Sequence, residues 1–348
     1  MNRRNLMGLN LDEITEIVLK YGEPKYRAKQ IFQWIYKGIE SIDEMTNLPK
    51  ISRENLKKEG TIYRLSLIQK YQDQKDKTTK FLFALRDNNI IECVVMRYNY
   101  GNTICISTQV GCRMGCSFCA STKDGMIRNL SAGEMFDEIL RSQELIGEKI
   151  SNIVLMGSGE PLDNYNQVIK FVSLVNNPQT LNIGQRHITL STCGLVPEIY
   201  KFAEENLQVN LSISLHATND LKRKEIMPIA KRYSITELMT ACDYYIKKTN
   251  RRITFEYALI ENKNDQLKDA IELGKLLKGK LCHVNLIPIN PIKEKDYRKS
   301  SEKRIQLFKE KLESFGIPTT IRKETGSSIN AACGQLRKGY LDSIREQR

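Results

Sequence analysis

The sequence predicts an α/β fold, an open partial (β/α)6 barrel, and three observations carry that prediction. Strand-like runs recur at 103–108, 151–157, 187–192, 209–214, 253–259 and 282–287, with helical patterns between them. Strand then helix, six times over, implies parallel βα units. Two of the intervening helices open on capping boxes, Ser131 with Glu134 and Ser234 with Glu237. Six units fall short of the eight of a closed barrel, so the sheet is expected to stay open.

The elements follow in order. Residues 1–60 read as a helical accessory domain. Leu11, Ile14, Ile17 and Val18 share one face of a first helix that Gly22 stops, and Pro24 opens a second. Ile31, Trp34 and Ile35 form its apolar stripe and Gly38 ends it, with Trp34 expected in the core. Ser41 with Glu44 precedes a short third helix. Residues 61–100 form a β-extension, in which 79–85 and 90–95 are strands joined by the turn Asp87-Asn88-Asn89. The barrel is expected over 101–325, with 317–323 as an added edge strand, and 326–348 is a C-terminal segment.

Composition narrows the class. The chain has 348 residues, 41% hydrophobic and 27% charged, enough for a large core. No apolar run approaches the ~20 residues of a membrane span, and the start MNRRNLMGLNLDE has no apolar signal region. Nine cysteines do not suggest a secreted disulfide scaffold, and a reducing cytoplasm is the expected location. The net charge of +13 suits a polyanion partner as well as a lysine-rich solvated surface. Clusters at Lys222-Arg223-Lys224 with Lys231-Arg232, and at Lys247-Lys248 with Arg251-Arg252, favour the polyanion.

The chemistry centres on Cys112, Cys116 and Cys119, spaced C-x3-C-x2-C on a glycine-punctuated loop. Such a set holds zinc or an iron–sulfur cluster. A closed zinc site wants a second pair, which is missing here. Three thiolates on a [4Fe–4S] cluster leave one iron open for a chelating molecule. In parallel βα folds, ligand chemistry collects at strand carboxyl ends. Those ends carry the three cysteines, then Gly157-Ser158-Gly159-Glu160, Ser191-Thr192, Ser214-Leu215-His216 and Asn290.

The cysteine motif, with Phe118 before its last thiol, resembles that of radical S-adenosylmethionine (SAM) enzymes. The strings at 111–125 (GCRMGCSFCASTKDG), 156–164 (MGSGEPLDN), 211–216 (LSISLH) and 331–336 (AACGQL) resemble the RlmN/Cfr group, which methylates adenine in RNA. The likeness runs through nearly the whole chain. It implies a radical SAM partial barrel holding a [4Fe–4S] cluster on Cys112, Cys116 and Cys119. It implies SAM, two molecules per turnover, contacted by Gly159, Glu160, Ser191, Ser214, Leu215, His216 and Asn290. It also implies Cys333 as methyl carrier, Cys105 as the thiol that resolves a protein–RNA adduct, and Glu92 as proton acceptor. Without the resemblance, His216 reads as a structural histidine, Glu92 as a solvated acid, and Cys105 and Cys333 as small core residues. Cys93, Cys193, Cys242 and Cys282 match nothing functional and are expected to be structural.

The expected substrates are adenosine 2503 of 23S rRNA and adenosine 37 of tRNAs, methylated at C2. The alternative is methylation at C8, as in the Cfr branch, but 119–125 and 159–162 look more like RlmN. A one-electron reductant, expected to be a flavodoxin system, completes the partners, and a monomer is expected. Two other classes, a non-catalytic iron–sulfur regulator and a radical SAM enzyme on a small substrate, lack a use for paired Cys105 and Cys333.

Overall fold

The computed structural model describes residues 4–290 and 297–329. The amino-terminal part is helical: α1 (Leu11–Lys20), α2 (Tyr26–Lys37) and α3 (Lys50–Glu59). Asn10 and Glu13 cap α1 reciprocally, and Gly38 ends α2 in the left-handed conformation. The expected Ser41–Glu44 box forms, but it caps a single 3-10 turn, Ile42–Glu44. The longer helix begins only after Pro49, because the residue before a proline is pushed out of helical geometry. Trp34 is half-buried, its Nε1–H donating to Asn47 Oδ1 at 2.6 Å.

Three antiparallel strands follow: β1 (Ser66–Gln72), β2 (Thr79–Ala84) and β3 (Ile90–Tyr98). The turn at Asp87-Asn88-Asn89 is present, with Asn88 at φ 62. No separate run marks β1 in the sequence, because it is a mostly exposed edge strand that shows no two-residue alternation of burial. β3 pairs antiparallel with β4 (Gly101–Cys105), which opens the parallel region.

A small hairpin of β5 (Gln109–Gly111) and β6 (Met126–Asn129) then brackets the cysteine loop. The βα alternation continues as α4 (Ala132–Ile146), β7 (Ile150–Leu155), α5 (Tyr165–Asn176), β8 (Ile188–Thr192), α6 (Val196–Glu204) and β9 (Asn210–Ser214). It ends as α7 (Asp220–Ile226), α8 (Ile235–Thr249), β10 (Ile253–Leu259), α9 (Leu267–Leu277), β11 (Cys282–Pro288), α10 (Glu302–Glu313) and β12 (Thr319–Ile321). Both expected capping boxes are made, on α4 and α8.

The sheet runs β1-β2-β3-β4-β7-β8-β9-β10-β11-β12, with every pair from β4 to β12 parallel. The strands follow chain order across the sheet with only the β5–β6 hairpin left out, and β1 and β12 remain edges, so the winding is that of an open barrel. The edge strand β12 is shorter than the expected 317–323.

One buried ion-pair knot joins the helical part to the barrel. Arg64 and Asp137 side chains are 1% and 2% exposed, with Nε 2.5 Å from Oδ1. The same guanidinium reaches Glu144 Oε1 at 2.9 Å and the carbonyl of Gly38. Among the described residues, no helix is long and apolar enough to cross a membrane.

Candidate active site

The carboxyl ends of β7 to β11, with the cysteine loop after β5, open into one cavity of about 1060 Å³, mouth included. Its wall includes Cys112, Cys116 and Cys119, then Gly157, Gly159 and Glu160, then Ser191, Ser214, His216 and Asn290. Side chains nearly 180 residues apart in sequence thus meet at one rim, as parallel βα geometry requires.

The glycines of the β7 loop are needed by space. A Cβ on Gly157 would lie 2.5 Å from the Ile106 carbonyl oxygen. Gly159 has φ +110, and a Cβ there would meet Thr108 Oγ1 at 2.7 Å. The loop therefore lies directly against the backbone that follows β4. Glu160 is buried and fully tied: Oε2 accepts from the Cys193 N–H at 2.8 Å and Oε1 from the Leu162 N–H at 3.0 Å. Its own N–H donates to Gln109 Oε1. Burial raises its pKa, and these N–H donors oppose the rise.

Burial pushes the Cys112 thiol up to about 12 and the Cys116 thiol well above its ordinary value. Thiols so placed become thiolates only when a positive centre compensates for lost solvent. Three thiols on one wall, with the cavity's buried Glu160 already engaged by backbone donors, fit a soft iron–sulfur group at Cys112, Cys116 and Cys119. The loop carrying them is docked: Ser117 N–H donates to the Ile226 carbonyl at 2.9 Å, and Arg113 Nε lies 2.9 Å from Asp163.

His216 is buried in a left-handed conformation, with its ring edge-on to Phe118 at 4.8 Å. Nδ1 accepts the Ala258 N–H at 2.9 Å, which leaves the proton on Nε2. Burial, helped by the Arg223 charge, lowers its pKa to about 3. The folded protein therefore keeps it neutral, while the unfolded chain binds a proton below about pH 6.5. Its stabilising contribution is complete above that pH and is lost as pH falls towards 3. In urea unfolding of the apoprotein, the midpoint should drop from about pH 7 to pH 5 more steeply than in His216→Gln. Equal slopes would contradict this.

Not every expected residue lines the cavity. The Leu215 side chain is buried in the main core and does not line the cavity: it is 0% solvent-accessible, and its N–H and carbonyl are bonded to Glu256 and Arg223. A strand's alternation explains this, since Leu215 points to the opposite face from Ser214 and His216 takes a left-handed turn. Glu92 is buried, not solvated, with Oε2 3.9 Å from Lys80 Nζ. Cys105 packs with Val94, Met96, Val154 and Met156, and Met156 also borders the cavity. Val94 pairs with Cys105 in register, so Glu92, two residues away, shares that face. Cys333 lies outside the described residues.

The structure adds residues that local patterns did not single out. Glu256 lines the cavity from β10, accepting from Asn285 at 2.8 Å, with Arg322 also on the wall. A lone acid in the apolar run ITFEYAL was the available signal. Cys193, expected to be structural, lines the cavity and packs with Cys116; Cys93, Cys242 and Cys282 lie in the main core. The Lys222–Lys224 cluster is also not a surface patch. Arg223 is 0% exposed, and Lys222 is paired with the buried Asp269. On α7 successive residues turn by about 100°, so the middle one of three adjacent cations faces inward.

Comparisons with known proteins bear on the family and the fold. Residues 106–274 match the model of the radical SAM superfamily, and residues 4–62 match that of the ribosomal RNA large subunit methyltransferase N-terminal domain. A protein of Clostridium perfringens (strain 13 / Type A), named a probable dual-specificity RNA methyltransferase RlmN, is 57% identical, covering 98% of each chain. A Clostridium tetani protein of the same name is 56% identical over 98% of this chain and 97% of its own. The crystal structure of a radical SAM methyltransferase from Sphaerobacter thermophilus superposes with a TM-score of 0.90 at 44% identity, covering 96% of this chain and 99% of that one.

Proposed function

Because the chain belongs to the RlmN family of radical SAM RNA methyltransferases, we propose that it methylates C2 of adenosine in 23S rRNA and in tRNA. Cys333 carries the methyl, Cys105 resolves the adduct and Glu92 accepts the ring proton. The observation that supports this most is the seat of Ile329. It packs against the buried group of Val94, Met96 and Cys105. Cys333 follows four residues later in the sequence. The approach is fastened: Asp73 Oδ2 accepts the Ser328 N–H at 3.2 Å and its hydroxyl at 2.5 Å, and Asp76 Oδ2 accepts the Gly326 N–H at 2.8 Å.

Carbon 2 of adenine is electron-poor and does not attack a sulfonium methyl, so the chain must offer the carbon in another form. When bound, the cluster and its SAM supply a hydrogen-abstracting 5′-deoxyadenosyl radical, and the residues that would hold them are Cys112, Cys116, Cys119 and the cavity wall. Cys333, as a thiolate, takes a methyl from another SAM. Loss of one hydrogen atom from that methyl leaves a carbon radical on Cys333 that bonds to C2. The ring radical so formed gives one electron back to the external one-electron carrier as Glu92 accepts the C2 proton, which restores the closed-shell ring; buried beside Lys80, Glu92 is held where bulk water does not compete. The Cys105 thiolate then attacks the Cys333 sulfur. The S–S bond forms, the S–CH2 bond breaks, and the released carbon takes a proton. An external reductant, in this reading a flavodoxin system of the cytoplasm, returns both thiols and supplies the starting electron.

Anaerobically loaded protein given SAM, dithionite and 23S rRNA fragments tests the assignment. Digestion and mass spectrometry against synthetic standards should find 2-methyladenosine. Finding 8-methyladenosine would move the chain to the other regiochemistry, and unmodified RNA with intact iron would remove the proposal.

A further inference from the structure

We propose that Arg223 is the buried counter-charge of the iron–sulfur cluster, and that it raises the cluster's reduction potential. The inference rests on the reading that Cys112, Cys116 and Cys119 hold that cluster.

Arg223 is the largest fully buried side chain of the protein's described residues. Nε donates to the Leu215 carbonyl at 3.2 Å, and Nη2 donates to the carbonyls of Cys193 at 2.6 Å and Ser214 at 3.2 Å. The remaining nitrogen, Nη1, is buried with no hydrogen-bond partner. Neutral carbonyls orient a guanidinium but do not balance it, and a buried charge without a counter-charge is costly. Cys193, whose carbonyl Nη2 holds, packs with Cys116, and Asp220 is a carboxylate one turn away on α7. Asp220 is itself engaged, accepting the Ile235 N–H at 2.8 Å.

Packing places this cation under the cysteine loop. Cys116, Cys193, Ile226 and Met227 form one buried group, and Ser117 N–H is bonded to the Ile226 carbonyl at the end of α7. Cys193 and Ser214, whose carbonyls hold the guanidinium, line the same cavity as the three thiols. Arginine stays protonated in proteins, so it contributes a fixed charge and no proton transfer. Three thiolates outweigh the positive charge of the cluster core, and one-electron reduction adds a further negative charge. A fixed cation at this position favours the reduced state. Glu160, the buried carboxyl across the cavity, acts on Cys116 in the opposite sense.

The test is a redox titration of the anaerobically loaded full-length chain without SAM or RNA, read by the electron paramagnetic resonance of the reduced cluster. Arg223→Gln keeps amide donors for the carbonyls and removes the charge; Arg223→Lys keeps the charge. Iron content and circular dichroism establish that each variant is loaded and folded. The glutamine variant should show a tenfold less favourable reduction equilibrium, about 59 mV for one electron, while the lysine variant stays within twofold of wild type. A loaded glutamine variant with the wild-type potential overturns the proposal, as does a lysine variant shifted equally. If the glutamine variant does not take up iron, Cys193→Asp carries the test: a carboxylate beside an intact Arg223 should lower the potential by the same factor, and an unchanged potential counts against it. Wild type without iron is a different result, one that removes the cluster assignment itself.

Discussion

Cys105→Ala is expected to stop the reaction at a covalent protein–RNA species. The variant retains Cys333, so it should load a methyl and form the thioether adduct, but no thiolate remains to break the S–CH2 bond. Turnover should fall by about three orders of magnitude or more, the scale seen when a nucleophile is removed. Denaturing gels of reactions with labelled RNA should show a slow band that nuclease collapses. Cys333→Ala should give neither the band nor methylated RNA. Cys105 is buried against Val94 and Met156, and alanine leaves only a small gap there, so the fold should survive. Normal turnover by Cys105→Ala, or the same band from Cys333→Ala, would mean that carrier and resolver are wrongly assigned.

The second large effect is on stability. Arg64→Ala strips the partner from Asp137, whose side chain is 2% exposed, and from the inner end of Glu144. Breaking a buried pair by removing one member costs roughly 3–5 kcal/mol, because the remaining charge stays buried. Arg64→Ala also frees the Gly38 carbonyl, so the loss should fall on the joint between α2, α4 and the β-extension. The double change Arg64→Leu with Asp137→Leu should recover part of it, since no charge is then left without a partner. Urea unfolding of the apoprotein measures both. A loss below about 1 kcal/mol in Arg64→Ala would place the pair among weak surface contacts.

The barrel was legible in the sequence because a parallel, doubly covered strand must be apolar and its helix must be amphipathic, and both patterns repeat. The runs at 187–192, 209–214 and 253–259 lie within a residue or two of β8, β9 and β10. What escaped was set by partners distant in sequence. β5 and β6 are three and four residues long and acquire meaning only by pairing across the cysteine loop. Arg64 meets Asp137 across 73 residues, which no local period records. Arg223 sits between two lysines, and only the docking of α7 decides that it is buried against the carbonyls of Cys193, Ser214 and Leu215. The candidate site divides in the same way. Strand ends gave the rim, from Cys112 to Asn290, because the carboxyl ends of parallel strands converge by topology. The resemblance named Leu215 and passed over Cys193, and neither pattern told which way the two side chains face: Leu215 packs in the main core and Cys193 lines the cavity.

The central claim is that the methyl reaches RNA by way of Cys333 and not directly from SAM. Mass spectrometry of adenosine from RNA methylated over many turnovers with trideuteriomethyl-SAM tests it most directly. One deuteron must leave with the hydrogen-atom abstraction on Cys333 and be replaced by a proton at release. The account predicts a transferred methyl carrying two deuterons, and a methyl that retains all three would contradict it.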